Sequence, residues 1–176
     1  MINHFELLEG ATVSLRFVYD VSQRQRFRNL ELIEEWYSKY NGILFDDVDY
    51  EIVTRTQHQR NYHFLEWASA VMLYETTGFM TLLEKYEIVT KHKMKNQILR
   101  SIMPTEIYEY IIGNGTGLPD IFAYNINKNC KYWFFCEIKG KDSLSDKQVQ
   151  RINDLYNFTK KPVYILEMLE LKYSQC

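Results

Sequence analysis

The sequence predicts an α/β fold with a mixed central sheet flanked by helices, from three observations. The chain has 176 residues, 46% of them hydrophobic and 25% charged, which suits one well-filled core and is short for two. From Gly117 onward, runs with strand character and one helical run follow in the order strand, strand, helix, strand. A link of hairpin length joins the first two strands and the helix joins the last two. Hairpins make antiparallel pairs and helical crossovers make parallel pairs, so the sheet should be mixed.

The part of the chain before these strands is predicted to be mainly helical. Residues 1–60 are expected to form an accessory extension packed on a core of residues 61–176. In the extension, "LELIEEWYSKYNG" has helical spacing that stops before Gly42, and "ILFDDVDYEIVTR" is predicted to be extended. A long helix covers "YHFLEWASAVMLYETTG" and ends at Gly78. "FMTLLEKYEIV" fits helix and strand alike and is assigned to helix, while Pro104 separates two further short helices.

Bulk composition narrows the functional classes. The net charge of -2 provides no overall attraction to nucleic acid, so any such contact must come from local patches. The N-terminal residues do not have a signal-peptide pattern and no run of about 18 apolar residues occurs, so we expect a soluble cytoplasmic protein without membrane contact. Cys130, Cys136 and Cys176 show no CxxC spacing and are interpreted as reduced thiols.

One stretch, "GLPDIFAYNINKNCKYWFFCEIKGK", places charged residues in the most apolar part of the predicted sheet. Side chains alternate along a strand, so Glu137 and Lys139 share one face. The hairpin would bring Asp120 alongside Glu137, and two carboxylates beside an ammonium can hold a hard divalent cation. A Glu-x-Lys triplet alone has little specificity, and the alternative interpretation is an ordinary ion pair on an edge strand.

The conjunction of these motifs resembles the PD-(D/E)XK nuclease superfamily, and its VRR-NUC branch in particular. The resemblance covers roughly Gly115 to Met168 and rests on "GTGLPDIFAYN", "FFCEIKGKDSLSDKQ" and the strand "KPVYILEM". Its combination of Gly-Leu-Pro-Asp, acidic-x-Lys-Gly and Leu-Ser-x-x-Gln is more specific than the bare triplet. The resemblance implies a restriction-endonuclease-like core for the predicted α/β fold. The first sixty residues and the long segment between Glu66 and Asp120 depart from the compact family pattern.

The resemblance also implies roles for individual residues. Asp120 and Glu137 would bind the divalent ion, Mg²⁺ or Mn²⁺, with the Ile138 carbonyl as a further ligand. Lys139 would activate or orient the attacking water, and Gln148 would support the site from the following helix.

Two further groups of residues are candidates for the site. Many family members contribute a Glu from an early helix, and Glu66 is the matching candidate, with a solvated helix flank as the alternative. Lysines in "KHKMKNQILR" and near the motif could neutralise backbone phosphates, although such basic runs are usually only solvated. The lysines assigned to nucleic-acid binding are Lys91, Lys93, Lys95, Lys141 and Lys147.

The function that follows is a divalent-metal-dependent nuclease that hydrolyses DNA phosphodiester bonds. Endonuclease and exonuclease action, selectivity for junctions, flaps or nicks, RNA as substrate, and pairing with a second copy or a partner protein are left open. One alternative is a catalytically silent DNA-binding or regulatory module on the nuclease fold. Another is the nuclease subunit of a defence or mobile-element complex.

Overall fold

The structure is a computed structural model that describes residues 6–83, 86, 88, 90–113, 117–127 and 130–171. Its strands form one five-stranded sheet in the order β1-β5-β4-β3-β2. The strands are β1 (Thr12–Asp20), β2 (Met80–Leu83), β3 (Ile121–Asn127), β4 (Cys130–Lys139) and β5 (Val163–Leu171). The helices are α1 (Val21–Arg28), α2 (Glu31–Tyr40), α3 (Asp47–Arg55), α4 (Gln57–Thr77), α5 (Lys93–Ile102), α6 (Thr105–Gly113) and α7 (Asp146–Thr159).

The sheet is mixed, which confirms the predicted α/β class. β3 pairs antiparallel with both β2 and β4, whereas β5 pairs parallel with both β4 and β1. α7 is the crossover between the parallel strands β4 and β5, as the strand-helix-strand pattern predicts. None of the helices in the described part of the chain has the length and apolar run needed to cross a membrane.

Helices cover both faces of the sheet. One face packs against α1 to α4 in a cluster that includes Phe27, Trp67 and Cys136. The other face packs against α5 to α7 in a cluster that includes Leu155 and Phe135. Neighbouring residues of β4 therefore belong to different clusters, as the period of two in a strand requires. Cys136 is buried with a free thiol, while Cys176 lies outside the described residues.

The N-terminal extension contributes directly to the central sheet. β1 pairs with β5 along its whole length, from Thr12 opposite Val163 to Asp20 opposite Leu171. The boundary predicted between residues 60 and 61 falls inside α4. Sequence reasoning missed β1, although "TVSLRFVY" alternates polar and apolar residues as a strand does. Residues 1–60 thus supply an edge strand as well as helices α1 to α3.

Two predicted elements are wrong. "ILFDDVDYEIVTR" is predicted to be extended, but most of it forms α3 because Asp46 caps the helix. The Asp46 carboxylate accepts a hydrogen bond from the Asp49 amide at 2.9 Å, and the Asp49 carboxylate accepts one from the Asp46 amide at 3.1 Å. The start of "FMTLLEKYEIV" is assigned to helix but forms β2, because pairing with β3 favours the strand. Parts of that run, residues 84–85, 87 and 89, lie outside the described residues.

Candidate metal and phosphodiester site

The register of the β3–β4 hairpin places Asp120 beside Glu137. Ile121 pairs with Cys136, so the preceding Asp120 meets the following residue of β4. The Asp120 carboxylate also accepts a hydrogen bond from the Ile138 backbone amide, with Oδ2 2.8 Å from the nitrogen. Asp120 is therefore held against the end of β4 by a backbone contact. The predicted pairing of these two carboxylate-bearing positions matches the structure.

Glu137 and Lys139 lie on the same face of β4 and are both buried. Their residues are 6% and 7% exposed, and Lys139 Nζ lies 3.3 Å from Glu137 Oε1. Burial of charged side chains is costly, and such side chains are found inside proteins when they are paired and hydrogen-bonded. An exposed edge-strand ion pair, which is the alternative interpretation, would not show this burial.

Gln148 joins the two charged residues from the first turn of α7. Its side-chain oxygen accepts a hydrogen bond from Lys139 Nζ at 3.0 Å. Its side-chain amide donates to Glu137 Oε1. A single amide side chain thus contacts both members of the pair.

The N-terminal cap of α7 holds Gln148 in this position. Ser145 is the N-cap residue, and its side chain accepts from the Gln148 backbone amide in a capping box. The Gln148 side-chain oxygen in turn accepts from the Ser145 backbone amide at 3.0 Å and from the Ser145 hydroxyl at 3.1 Å. The same oxygen therefore serves the helix cap and Lys139.

The electrostatics of the site favour a proton or a cation at Glu137. Burial raises the pKa of the Glu137 carboxyl above its ordinary value, while the positive charge and hydrogen bond of Lys139 oppose the rise and the Asp142 charge adds to it. Lys139 Nζ also lies 3.5 Å from Asp142 Oδ2, so one ammonium is shared by two carboxylates. A bound cation would offset this excess of negative charge.

The donor set fits a hard divalent cation. Asp120 and Glu137 supply carboxylate oxygens from adjacent strands, and Mg²⁺ is commonly held by one or two carboxylates together with water and substrate phosphate. Within the described residues, no group of three or more His, Cys, Asp or Glu side chains is placed to hold a metal ion. A site with two carboxylate ligands, whose other coordination positions are filled by water and phosphate, matches the usual coordination of Mg²⁺. It also agrees with the lack of a larger cluster among the described residues. The Ile138 backbone lies at the site through its N–H, and the role of its carbonyl stays a prediction.

Glu66 comes from the helix layer on the opposite face from α7. It is buried in α4, and His63 Nδ1 lies 3.8 Å from Glu66 Oε2. The neighbouring turn of α4 reaches the end of β4, since a Cβ added at Gly140 would lie 3.3 Å from Leu65 Cδ1. Glu66 also lines a cavity between α3 and α4. Its participation in catalysis stays a prediction.

The lysines assigned to nucleic-acid binding differ in exposure. Lys91, Lys93, Lys141 and Lys147 are exposed. Lys95 is 3% exposed, and its Nζ lies 2.6 Å from Asp49 Oδ1. The assignment of Lys95 to a phosphate-binding surface is therefore corrected to a buried ion pair. Helical spacing explains its position, because the i, i+4 relation with buried Leu99 puts Lys95 on the inner face of α5.

Sequence reasoning did not assign a role to Ser145 or Asp142, although both contact the site. Ser145 could have been recognised from the S-x-x-Q spacing with Gln148, which is a signature of a capping box. Asp142 gives no such signal, because only the turn at Gly140 brings its carboxylate back to Lys139.

No protein-family model matches this chain, and searches of curated proteins and of solved structures found no match.

Proposed function

We propose that this protein is a divalent-metal-dependent nuclease that hydrolyses DNA phosphodiester bonds on a restriction-endonuclease-like core. The observation that carries the proposal is the juxtaposition of Asp120, Glu137 and Lys139 at one end of the sheet, with Gln148 hydrogen-bonded to the last two. The match between these positions and the family motif supports the same function.

The chemistry of the reaction divides between the cation and the protein. A bound divalent cation would polarise the scissile phosphodiester and lower the pKa of a water molecule. Asp120 and Glu137 would hold the cation at the end of the sheet. Lys139 orients the attacking water and adds positive charge beside the phosphorus, where negative charge develops. Gln148 contacts both the ammonium and the Glu137 carboxylate.

The burial of the site is suited to this reaction. A charged pair inside a protein acts in a medium of lower dielectric constant than water, so its field on a nearby phosphate is stronger than that of a surface pair. The exposed Lys141 and Lys147 lie in the chain beside the site and are placed in sequence to meet the flanking phosphates.

A panel of end-labelled DNAs tests the proposal directly. Linear, nicked, flapped and four-way duplexes, with one single-stranded RNA, are incubated with Mg²⁺, Mn²⁺ or EDTA. We expect metal-dependent products from at least one DNA with the wild-type protein and none with Asp120→Asn. Asp154→Asn is the matched control, since it removes an exposed carboxylate from α7 and should leave cleavage unchanged.

Metal titration separates the nuclease from a silent DNA-binding module. Calorimetric titration of Mn²⁺ should show heat of binding that Asp120→Asn removes and Asp154→Asn retains. Carboxylate-independent metal uptake together with no cleavage of any substrate would favour the silent module.

A further inference from the structure

A cavity of about 160 Å³ lies between α3, α4 and the end of β2. Glu66, whose role in the catalytic site is a prediction, lies in its wall. Leu83, in its wall, pairs with Ile121, the residue that follows Asp120, so the cavity lies at the same end of the sheet as the paired carboxylates. Among the described residues that line it are Ile52, Val53, Gln59, His63, Trp67 and His92.

The lining combines apolar walls with a hydrogen-bonding edge. The walls come from aliphatic side chains and from Trp67. The edge follows one side of α4, where His63 Nε2 lies 3.1 Å from Gln59 Oε1 and His63 Nδ1 lies 3.8 Å from Glu66 Oε2. An occupant that matches both parts has apolar faces and a rim of donors and acceptors.

A buried histidine adds a polar group in need of a partner. His92 lines the cavity and is 2% exposed. Its Nδ1 lies 3.7 Å from Asp46 Oδ2, whereas Nε2 makes no hydrogen bond with any residue that the structure describes. Buried polar atoms in folded proteins usually have a hydrogen-bond partner, so an unpaired ring nitrogen beside a cavity indicates that a polar ligand can supply one.

Two exposed cations complete the lining. Lys91 is exposed, and Arg55 pairs with Glu51 at 2.8 Å on the surface of α3, where both side chains are mostly exposed. Surface pairs of this kind are weak and exchange partners easily. Arg55 and Lys91 are thus available to phosphates that flank an occupant of the cavity.

The volume limits the size of the occupant. A cavity of about 150 Å³ in another protein accommodates one benzene molecule. The present cavity is therefore large enough for one small planar heterocycle, and it is below the roughly 300 Å³ at which pockets for drug-sized ligands begin.

We propose that this cavity receives a single extruded nucleobase next to the scissile phosphate, so that the preferred substrate is DNA with an unpaired nucleotide at the cleavage position. The proposal rests on the proposed nuclease function and names its substrate class. Enzymes that take a base out of a duplex hold it by contacts with its polar edge and by apolar or aromatic packing on its faces. The lining of the cavity offers both, with cations for the adjacent phosphates.

Binding to two matched duplexes tests the proposal. Fluorescence anisotropy in EDTA measures the affinity of Glu137→Gln for a fully paired duplex and for the same duplex with one unpaired adenine. We expect the unpaired duplex to bind about 10-fold tighter, since the energy of unpairing no longer has to be supplied by the protein. Adding Ile52→Trp, which fills the cavity from a half-buried position, should remove the difference. Val48→Trp, half-buried on the same helix and outside the lining, should retain it.

A second variant and a cleavage assay make each outcome decisive. If Ile52→Trp does not melt cooperatively, Gln59→Ala replaces it, because it removes one polar edge group from a partly exposed position. Either cavity variant should reduce the preference. Equal affinity of the Glu137→Gln protein for the two duplexes, or an undiminished preference in the cavity variant, would overturn the nucleobase site. Wild-type cleavage with Mg²⁺ is measured in parallel. Cleavage without preference for the unpaired duplex rejects only the nucleobase site, whereas no metal-dependent cleavage at all rejects the nuclease function.

Discussion

Among the residues that the structure describes, two lysine–carboxylate pairs are buried, and they differ in the elements and neighbouring groups that surround them. Lys95 and Asp49 join α5 to α3 with an Nζ–Oδ1 distance of 2.6 Å, and Lys95 also donates to the Leu83 carbonyl at 3.2 Å. Lys139 and Glu137 lie on one strand with an Nζ–Oε1 distance of 3.3 Å.

Burial alone does not distinguish the two pairs. It is the main factor that raises the pKa of both Asp49 and Glu137, and the partner lysine opposes the rise in each case. The groups around the two pairs differ. Asp49 is also part of the capping box of α3, so its carboxylate has a structural role. Lys95 also acts on the charge of Asp46, and Asp46 and Asp49 together form that capping box. Lys139 is shared among Glu137, Asp142 and Gln148 at the end of a strand that lies beside Asp120. We infer that the first pair holds helices together and that the second is arranged for a ligand.

The largest expected effect is the loss of cleavage on neutralising either predicted metal ligand. Asp120→Asn and Glu137→Gln should each lower the single-turnover rate by on the order of 10³-fold or more, because each removes a carboxylate that holds the cation. DNA binding should be unchanged or tighter, since repulsion of phosphate falls. An amide oxygen at position 120 can still accept from the Ile138 amide, so the fold should persist. Cleavage and gel-shift assays measure the two effects, and wild-type rates in both variants would show that the site is wrongly assigned.

Breaking the pair of Lys95 and Asp49 should lower the free energy of unfolding. Lys95→Ala leaves the buried Asp49 carboxylate without its cation, which typically costs about 3 to 5 kcal/mol of unfolding free energy. Urea denaturation followed by circular dichroism measures the loss. The double variant Lys95→Met with Asp49→Asn should recover most of it, because both charges are gone and the amide oxygen can still cap α3. A Lys95→Ala variant as stable as wild type would contradict the structural role of the pair.

Substitutions of Lys139 distinguish the effect of its charge from the effect of its geometry on cleavage. Arginine keeps the positive charge but spreads it over a planar fork, which cannot take the place of a compact ammonium. Lys139→Arg should therefore lose activity by on the order of 10²-fold, as a misplaced catalytic group does. Lys139→Ala should be inactive. Single-turnover rates with saturating enzyme decide the matter: near-normal cleavage by the arginine variant would mean that only its charge matters, and near-normal cleavage by the alanine variant would remove Lys139 from the mechanism.

Ser145 is expected to affect stability and metal affinity together. Ser145→Ala removes the N-cap of α7, which costs about 1 kcal/mol, and loosens the Gln148 side chain that contacts Lys139 and Glu137. Loss of a group that orients metal ligands typically lowers metal affinity by about 10-fold to 100-fold. Calorimetry with Mn²⁺ should show this decrease, and Ser145→Thr should restore it. If stability falls while metal affinity does not, the cap is only structural.

The smallest expected effect is on the pH dependence of stability. The pKa of Glu137 is raised in the folded state, so the stability this group contributes is present below its ordinary pKa and is lost as pH rises through the raised value. Glu137→Gln removes this loss. The melting temperature of the variant relative to wild type should therefore increase as the pH rises above the ordinary pKa of a glutamate. A difference that stays constant as the pH rises would contradict the raised pKa.

Much of the site could be predicted because it depends on contacts that are local in sequence. The alternation of β4 places Glu137 and Lys139 on one face, and the short β3–β4 link determines that Asp120 meets Glu137. Gln148 follows one loop later, at the start of the next helix. Each of these relations spans fewer than thirty residues. The placement of these side chains therefore follows from local rules of strand alternation, turn length and helix capping.

By itself, then, the sequence determined the α/β alternation, the mixed sheet and the pairing of Asp120 with Glu137, because period, turn length and crossover type follow from local backbone geometry. Only the tertiary structure decided that β1 joins the sheet beside β5, that Lys95 is buried against Asp49, and that α3 and α4 enclose a cavity. Those features depend on residues far apart in the chain. A local pattern can indicate that a segment is a strand or that a residue lies on the inner face of a helix. It cannot indicate the partner, because packing and desolvation energies arise only when the layers come together.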